Sequence, residues 1–582
     1  MPGDCFVYSP IQGKGTPLFD YMDLSEDQEG AYEMADGSAL KNNRKRDSFI
    51  MQAGILAAAG IICRIIGLLY KSPLTSVIGD EGNGYYGTAY NFYTIILLIS
   101  SYSIPSAISK VIAQKLELKE YRNAHRIFKC TLVYVVVVGG LASLLAFFGA
   151  SLFVTPNSIA VLQVFAPTIF LSGLLGVVRG YFQAHKTMLQ TSVSQILEQI
   201  LNAVCSIGAA YLFIRLAADK DDTTKAIYGA MGSALGTGVG VLTALLFMFA
   251  IYMLNRKMIR RRVDRDTIHA EESYSEIFKL IVSIVTPFIL STFIYNLSTS
   301  LNQKLYTDIL INVKKAVEKD VLSSYGVFSI KAITVVNIPV AFASAMSSAV
   351  IPSISGSFAK GERKEAKKKI HQAIHTVMLI SIPSAVGLCV LAKPIMSVLF
   401  PQKESLDLAS RLLMYLAVTV IFYSLSTLSN AILQGIGRVN LPVRNAAAAL
   451  ILQTGVLAPL LLYTDFELNS LVIATIIYSF SMCVLNGHSL KKALGYREDV
   501  AKTYIMPMFA AVLMGIAAGG TYYGIYYLSG INILSLAVAV FIAVLVYFTV
   551  LIKIGGLTKK ELKAMPKGAA LVRVAKKLHL MR

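Results

Sequence analysis

Residues 49–70 read FIMQAGILAAAGIICRIIGLLY, a run of membrane-spanning length with one arginine, Arg64, near its end. A helix needs about 20 apolar residues to cross the hydrocarbon of a bilayer. The first candidate span is 48–70, and thirteen more lie near 84–106, 130–152, 159–181, 190–214, 227–254, 277–299, 323–350, 370–392, 408–431, 442–463, 467–487, 504–528 and 531–553. The chain is 55% hydrophobic and 15% charged, whereas an average soluble domain is about 25% charged. These features predict an all-α polytopic membrane protein with about fourteen transmembrane helices.

The formal charge of +20 is unevenly spread. With both termini cytoplasmic, the cytoplasmic connections hold 39 of the 54 Lys and Arg and the opposite connections hold 11. That asymmetry follows the positive-inside rule and sets the orientation. The basic excess therefore reads as topology and as contact with anionic membrane lipids, and nucleic acid is excluded as a partner. The six cysteines are scattered, without metal or disulfide spacing. His371 and His375 sit beside a lysine cluster and read as solvated helix rather than a metal site. No phosphate loop and no nucleophile–base motif is present. The expectation is a protein without cofactor that is not an enzyme.

Two motifs recur. IPSAISKVIAQKLELKEYRNAHRI begins at Ile104 and IPSISGSFAKGERKEAKKKI at Ile351, an offset of 247. GYFQAHKTMLQ begins at Gly180 and NAILQGIGRVNLP at Asn430, with Gln183 and Gln434 offset by 251. Each repeat spans six helices, an even number, so both copies insert in the same orientation. The prediction is two six-helix lobes in a parallel pseudo-twofold repeat plus two extra C-terminal helices. The division is 1–46, a disordered acidic cytoplasmic tail; 47–254, the N-terminal lobe; 255–276, a basic cytoplasmic linker; 277–487, the C-terminal lobe; 488–554, spans thirteen and fourteen; and 555–582, a basic cytoplasmic tail.

RIIGLLYKSPLTSVIGDEGNGYYGTAYNFY from Arg64, RGYFQAHKTMLQTSVSQILEQ from Arg179, IPSAVGLCVLAKPIMSVLFP from Ile382 and NAILQGIGRVNLPVRN from Asn430 resemble one family. It is the stage V sporulation protein B and polysaccharide-biosynthesis flippase family, which is similar to the MurJ and O-antigen flippases. It belongs to the multidrug, oligosaccharidyl-lipid and polysaccharide exporter superfamily. The resemblance covers roughly residues 45–580. It implies two lobes around a central basic cavity in the bacterial plasma membrane. The implied cargo is an undecaprenyl-pyrophosphate-linked saccharide, a cell-wall, spore-cortex or capsule precursor turned from the inner to the outer leaflet. Wall-synthesis enzymes are further candidate partners. Family members often carry an acid late in span seven and a lysine in span eleven; this chain has Tyr295, Asn296 and Asn302 in the first place and Gln453 in the second.

A flippase must lower the cost of carrying a pyrophosphate through hydrocarbon, and a cation within a span suits that task. Arg64 lies about 24 Å along its span, at 1.5 Å per residue, either facing a cavity or snorkelling to the outer interface. Lys331, in SYGVFSIKAITVV, is expected at a comparable depth in the other lobe, where the two could form a bipartite anion site or Lys331 could be an interfacial lysine. Arg179, Gln195 and Gln199 are candidate cargo ligands. Glu198 is a candidate gate or relay, or half of an ion pair with Arg179. Asp80 and Glu81, in IGDEGNG, are candidates for an outer gate or a plain turn. Pro105, Pro352 and Pro383 mark expected helix breaks. A cation-coupled multidrug antiporter of the same superfamily and a non-transporting scaffold of wall synthesis are the alternative functions.

Overall fold

The computed structural model describes residues 59–557 apart from 61, 99–103, 186, 267–270, 360, 401, 439 and 496–498, together with 573. The acidic tail at 1–46 and most of the basic tail at 555–582 lie outside the described residues.

The described residues contain helices and turns and no strand. In chain order the helices are α1 (Ile62–Leu69), α2 (Lys71–Leu97), α3 (Ile104–Glu117), α4 (Tyr121–Phe148), α5 (Ala150–Phe153), α6 (Ile159–Ala184), α7 (Met188–Leu216), α8 (Asp222–Arg265) and α9 (Tyr274–Asp308). After them come α10 (Glu318–Gly326), α11 (Ile333–Ala359), α12 (Arg363–Val390), α13 (Ala392–Leu399), α14 (Leu406–Leu416), α15 (Thr419–Gly435), α16 (Asn440–Tyr463), α17 (Leu468–Leu494), α18 (Met506–Ser529) and α19 (Asn532–Lys553). Ten helices are long and apolar enough to cross a membrane, or twelve when each of two bent pairs counts as one span. The expected fourteen are therefore not reached among the described residues. Spans one and two fall within one bent pair, α1 with α2, and the seventh is α9, a 35-residue helix outside that count.

Local chemistry explains several boundaries. Asp221 caps α8 by accepting from the Thr224 N–H at 3.1 Å, and Ser273 with Glu276 forms a reciprocal capping box at the start of α9. With 44 residues α8 is about 66 Å long, twice the hydrocarbon thickness. Its basic turns from Arg256 to Arg265 thus continue the helix through much of the predicted linker. The prolines do not break helices as expected. Pro383 lies inside an unbroken α12 and Pro352 inside α11, while Pro105 occupies the first turn of α3, where a missing N–H costs nothing. The bends fall elsewhere: 44° between α1 and α2, 48° between α14 and α15, and a reversal inside α2 at Gly79, whose φ of 69° suits a residue without Cβ.

The internal repeat recurs in backbone geometry. After α3, Lys119 has φ 61° and Glu120 donates its N–H to Lys115 O; after α11, Gly361 has φ 78° and Glu362 donates to Ser357 O. After α6, Thr187 N–H reaches Phe182 O, and after α15, Arg438 N–H reaches Leu433 O, again five residues back. Each motif pair quoted from the sequence ends in the same turn.

Helices α3, α4, α6, α7 and α8 pack with part of α2 into an N-terminal bundle, and α11, α12, α14, α15 and α17 into a C-terminal one. The N-terminal core centres on Tyr85, Phe165, Ile169 and Ala230. The C-terminal core centres on Ile374, Met378, Leu428 and Leu433, and takes in Met514, Ala518 and Tyr547 from α18 and α19. Those last two helices dock on α12, where the Tyr547 hydroxyl donates to Leu379 O at 2.9 Å.

Candidate functional site

The two bundles meet around α2. Its first two turns end at Gly79, and the chain reverses there on the face that the charge asymmetry makes outer. Asp80, the next residue, is ion-paired at 2.6 Å with Lys331. Lys331 is only 1% exposed and also donates to Ser405 Oγ at 2.7 Å, with the Phe400 ring 5.8 Å away. It sits in a π-helical turn, Val327–Ala332, a geometry that recurs at functional positions in helices. Beside it Glu81 pairs with Lys319 at 3.0 Å and accepts from the Tyr85 hydroxyl at 2.9 Å. Both acids belong to the N-terminal bundle and both lysines to the segment leading into the C-terminal one.

Backbones touch at this junction. A Cβ on Gly84 would lie 2.1 Å from Leu322 O, and one on Gly326 would lie 2.6 Å from Asp80 O. One level deeper Asn91 donates to Gln303 Oε1 at 2.7 Å and to the Tyr325 hydroxyl oxygen at 2.6 Å, and Gln303 donates to Thr88 O at 3.3 Å. Outside the seal a cleft of about 680 Å³ is lined by Gly79, Asp80, Glu81, Lys319 and Gln402. On this face the junction is shut.

The expected pairing of Arg64 with Lys331 at one depth is not what the structure shows. The first span does not end at Tyr70, because α2 continues through Lys71–Ile78 before turning. Arg64 therefore lies fifteen residues, about 20 Å, below Gly79, while Lys331 is at the turn itself. Arg64 is exposed and has no ion pair among the described residues. The cation between them is Lys71, which donates to Thr334 Oγ1 of α11 at 2.8 Å across the junction. Between the first two candidate spans, Lys71 falls in an outer connection by sequence; in the structure it reaches the other bundle, while Thr75 accepts from Asn83 of α2 itself and Ser76 is exposed. Asn91, Gln303 and Tyr325 were likewise missed, since nothing local distinguishes a sealing amide from a packed one.

Within the N-terminal bundle Arg179 pairs with Glu198 at 2.8 Å and donates through Nε to Ser194 Oγ at 2.9 Å. Gln195 and Gln199 are half-buried on the same helix. The Gln199 amide oxygen is 3.9 Å from where a Gly67 Cβ would sit, so it faces the first span.

The two departures from the family pattern meet each other. The Gln453 amide donates to Asn302 Oδ1 at 2.9 Å, and its oxygen accepts from Asn302 Nδ2 at 3.4 Å and from Ser298 Oγ at 3.0 Å. Both amides are buried. The side chain of Tyr295 lies outside those described. A reciprocal neutral pair thus joins α9 to α16, every polar atom in it needing the other. Asn302→Asp should lower stability by about 3 kcal/mol, the cost of a buried carboxylate facing no cation. Adding Gln453→Lys in the same chain should restore most of it. Thermal unfolding of the purified protein measures both, and strictly additive losses would refute the pairing.

At the opposite end Glu271 pairs with Arg122 at 2.9 Å and with Arg126, and Glu272 pairs with Lys115. Burial pulls the Lys115 ammonium down, but hydrogen bonds and charge from Glu272 and Glu120 outweigh it and hold its pKa above the ordinary lysine value. Arg126 also stacks over Tyr274 at 4.2 Å. The start of α9 is therefore stapled to the turn between α3 and α4.

Comparison with known proteins places this geometry. The model of a family described as the lipid II flippase MurJ matches residues 122–521, 400 of the 582 residues. The chain belongs to the MurJ lipid II flippase family. It is 24% identical over 485 residues to the lipid II flippase MurJ of Bacillus subtilis (strain 168), covering 80% of this chain and 86% of that protein. It is 22% identical to stage V sporulation protein B of the same organism, over 81% of this chain and 88% of that one. Among solved structures it is similar to the lipid II flippase MurJ in an inward closed conformation, at TM-score 0.60, 15% identity and 85% and 97% coverage. It is also similar to an inward-facing multidrug resistance MATE family transporter, at TM-score 0.59, 17% identity and 76% and 98% coverage. The MurJ family assignment bears out the resemblance read in the motifs, and the two structural likenesses bear out the all-α exporter fold.

Proposed function

We propose that this chain carries a polyprenyl-pyrophosphate-linked saccharide from the inner to the outer leaflet of a bacterial plasma membrane, with both termini cytoplasmic. The division into lobes at 47–254 and 277–487 is part of that reading. The observation that carries it is a pair of cations, Arg64 and Lys71, in helices of membrane depth with no carboxylate partner among the described residues. An uncompensated cation in hydrocarbon costs several kcal/mol, and an anionic cargo supplies the missing charge. The same cations oppose a cationic drug, and the one acid nearby, Glu198, is already held by Arg179.

In this reading Asp80, Glu81, Lys319 and Lys331 form the outer gate, so Lys331 serves the gate rather than the cargo. Arg64, Lys71, Gln195 and Gln199 line the cargo path, and Arg179 with Glu198 ties α6 to α7 below it. The neutral Asn302–Gln453 pair offers no charge to a coupling ion. Export of about two negative charges down an inside-negative potential releases roughly 4–5 kcal/mol per 100 mV, which can drive the cycle.

Proteoliposomes with an imposed inside-negative potential test this. The wild type should flip a fluorescent undecaprenyl-pyrophosphate saccharide, and Lys71→Ala or Arg64→Ala should slow flipping at least tenfold with the protein folded. Wild-type speed in both variants would remove the anion path, and unchanged speed with the potential collapsed would remove the proposed drive.

A further inference from the structure

We infer that the tyrosine cluster of the N-terminal bundle is a saccharide subsite, with the open ring of Tyr90 as its stacking platform. The inference rests on the flippase reading above and names the part of the cargo that the cations do not hold.

Four tyrosines of the first two spans converge: Tyr70, Tyr86, Tyr90 and Tyr93. Three are buried, at 9%, 4% and 4% exposure, while Tyr90 is 39% exposed. Tyr90 stacks on Tyr86 with centroids 5.6 Å apart and planes 14° apart, and tilts against Tyr93 at 5.8 Å and Phe165 at 5.9 Å. Phe165 in turn stacks on Tyr93 at 4.7 Å. Ordinary core packing accounts for the buried rings. It does not account for the fourth, which packs on three aromatic neighbours and is still 39% exposed. Nor is Tyr90 placed to face lipid: the next residue, Asn91, makes the seal with Gln303 and Tyr325 of the opposite side. The open ring lies about 16 Å below Gly79, at 1.5 Å per residue, level with that seal.

The surroundings are polar and neutral. Asn202 Oδ1 accepts from Ser206 Oγ at 2.9 Å and Thr237 Oγ1 at 3.2 Å. An aromatic face ringed by hydroxyls and an amide matches a pyranose, whose polarised C–H face stacks on the negative π surface while its hydroxyls bond at the edge. An aromatic cation would also stack there, but Lys71 follows Tyr70 directly and opposes it. The order along the helix is then phosphate at Lys71 and sugar at Tyr90, two adjacent subsites for two adjacent parts of one ligand.

The test measures binding to the full-length protein in nanodiscs with two probes, undecaprenyl pyrophosphate and the same lipid bearing one N-acetylhexosamine. In the wild type the sugar should tighten binding roughly tenfold. Tyr90→Ala should erase that increment and leave the bare lipid within twofold, while Tyr90→Phe should keep it. An undiminished sugar increment in Tyr90→Ala, or an equal loss for both probes, would overturn the subsite. Failure of the wild type to bind either lipid would instead overturn the flippase reading itself. Tyr90-dependent binding of tetraphenylphosphonium with no sugar increment would assign the platform to aromatic cations and also overturn the proposal.

Discussion

Lys331→Met is expected to open the outer junction. The substitution removes both the 2.6 Å pair with Asp80 and the 2.7 Å bond to Ser405, and leaves the Asp80 carboxylate facing an apolar side chain. Breaking one side of a buried pair costs about 3–5 kcal/mol. Asp80 retains 15% exposure, so the lower end applies. That cost falls on the shut state alone, because an opened junction hydrates Asp80. A shift near 3 kcal/mol moves the equilibrium about a hundredfold toward open. A cysteine placed at Thr88, 1% exposed at the level of the Asn91–Gln303 seal, in a background without the native cysteines reports it. Its labelling by a membrane-impermeant maleimide should rise strongly in Lys331→Met and fall back when Asp80→Asn is added. Labelling unchanged by Lys331→Met would mean that the pair does not hold the gate.

A side chain at Gly84 is expected to do by sterics what Lys331→Met does by charge. Its Cβ would sit 2.1 Å from a backbone oxygen, Leu322 O, which cannot swing aside as a side chain would. Gly84→Leu therefore keeps α2 and α10 apart and should reduce flipping to background while the protein remains folded in the membrane. Gly140→Leu is the control, since nothing lies within 4 Å of a Cβ there. Normal flipping by Gly84→Leu would show that the shut junction is not a step of the cycle.

Much of the architecture is written locally. Apolar runs mark the spans. The stretches that begin at Ile104, Gly180, Ile351 and Asn430 run into turns whose hydrogen bonds recur in both halves. The site is less legible, and for reasons visible in particular residues. KSPLTSVI reads as a loop because it is too short and polar to form a span, although Tyr70, Leu74 and Ile78 form one buried stripe along it. Asp80 and Lys331 come from opposite halves of the chain, so no spacing announces their pair. Asn302 and Gln453 look like two separate losses of charge until α9 and α16 are brought together, when they form one reciprocal amide pair. Arg64 was legible as a cation in a span but misplaced in depth, an error inherited from ending the helix at Tyr70.

The arrangement of charge at the outer junction has a consequence for the return stroke of an empty carrier. Asp80 and Glu81 stand on one rim, Lys319 and Lys331 on the other, so the parted rims attract each other along their whole length instead of pairing at random. On the gate reading proposed above, that attraction would act as a weak spring that resets the molecule after release and keeps the rims in register as they meet. Its reach is the Debye length, about 8 Å at physiological ionic strength and about 3 Å at 1 M. The salinity of the medium bathing the cell therefore sets how far apart the rims can drift before the spring lets go.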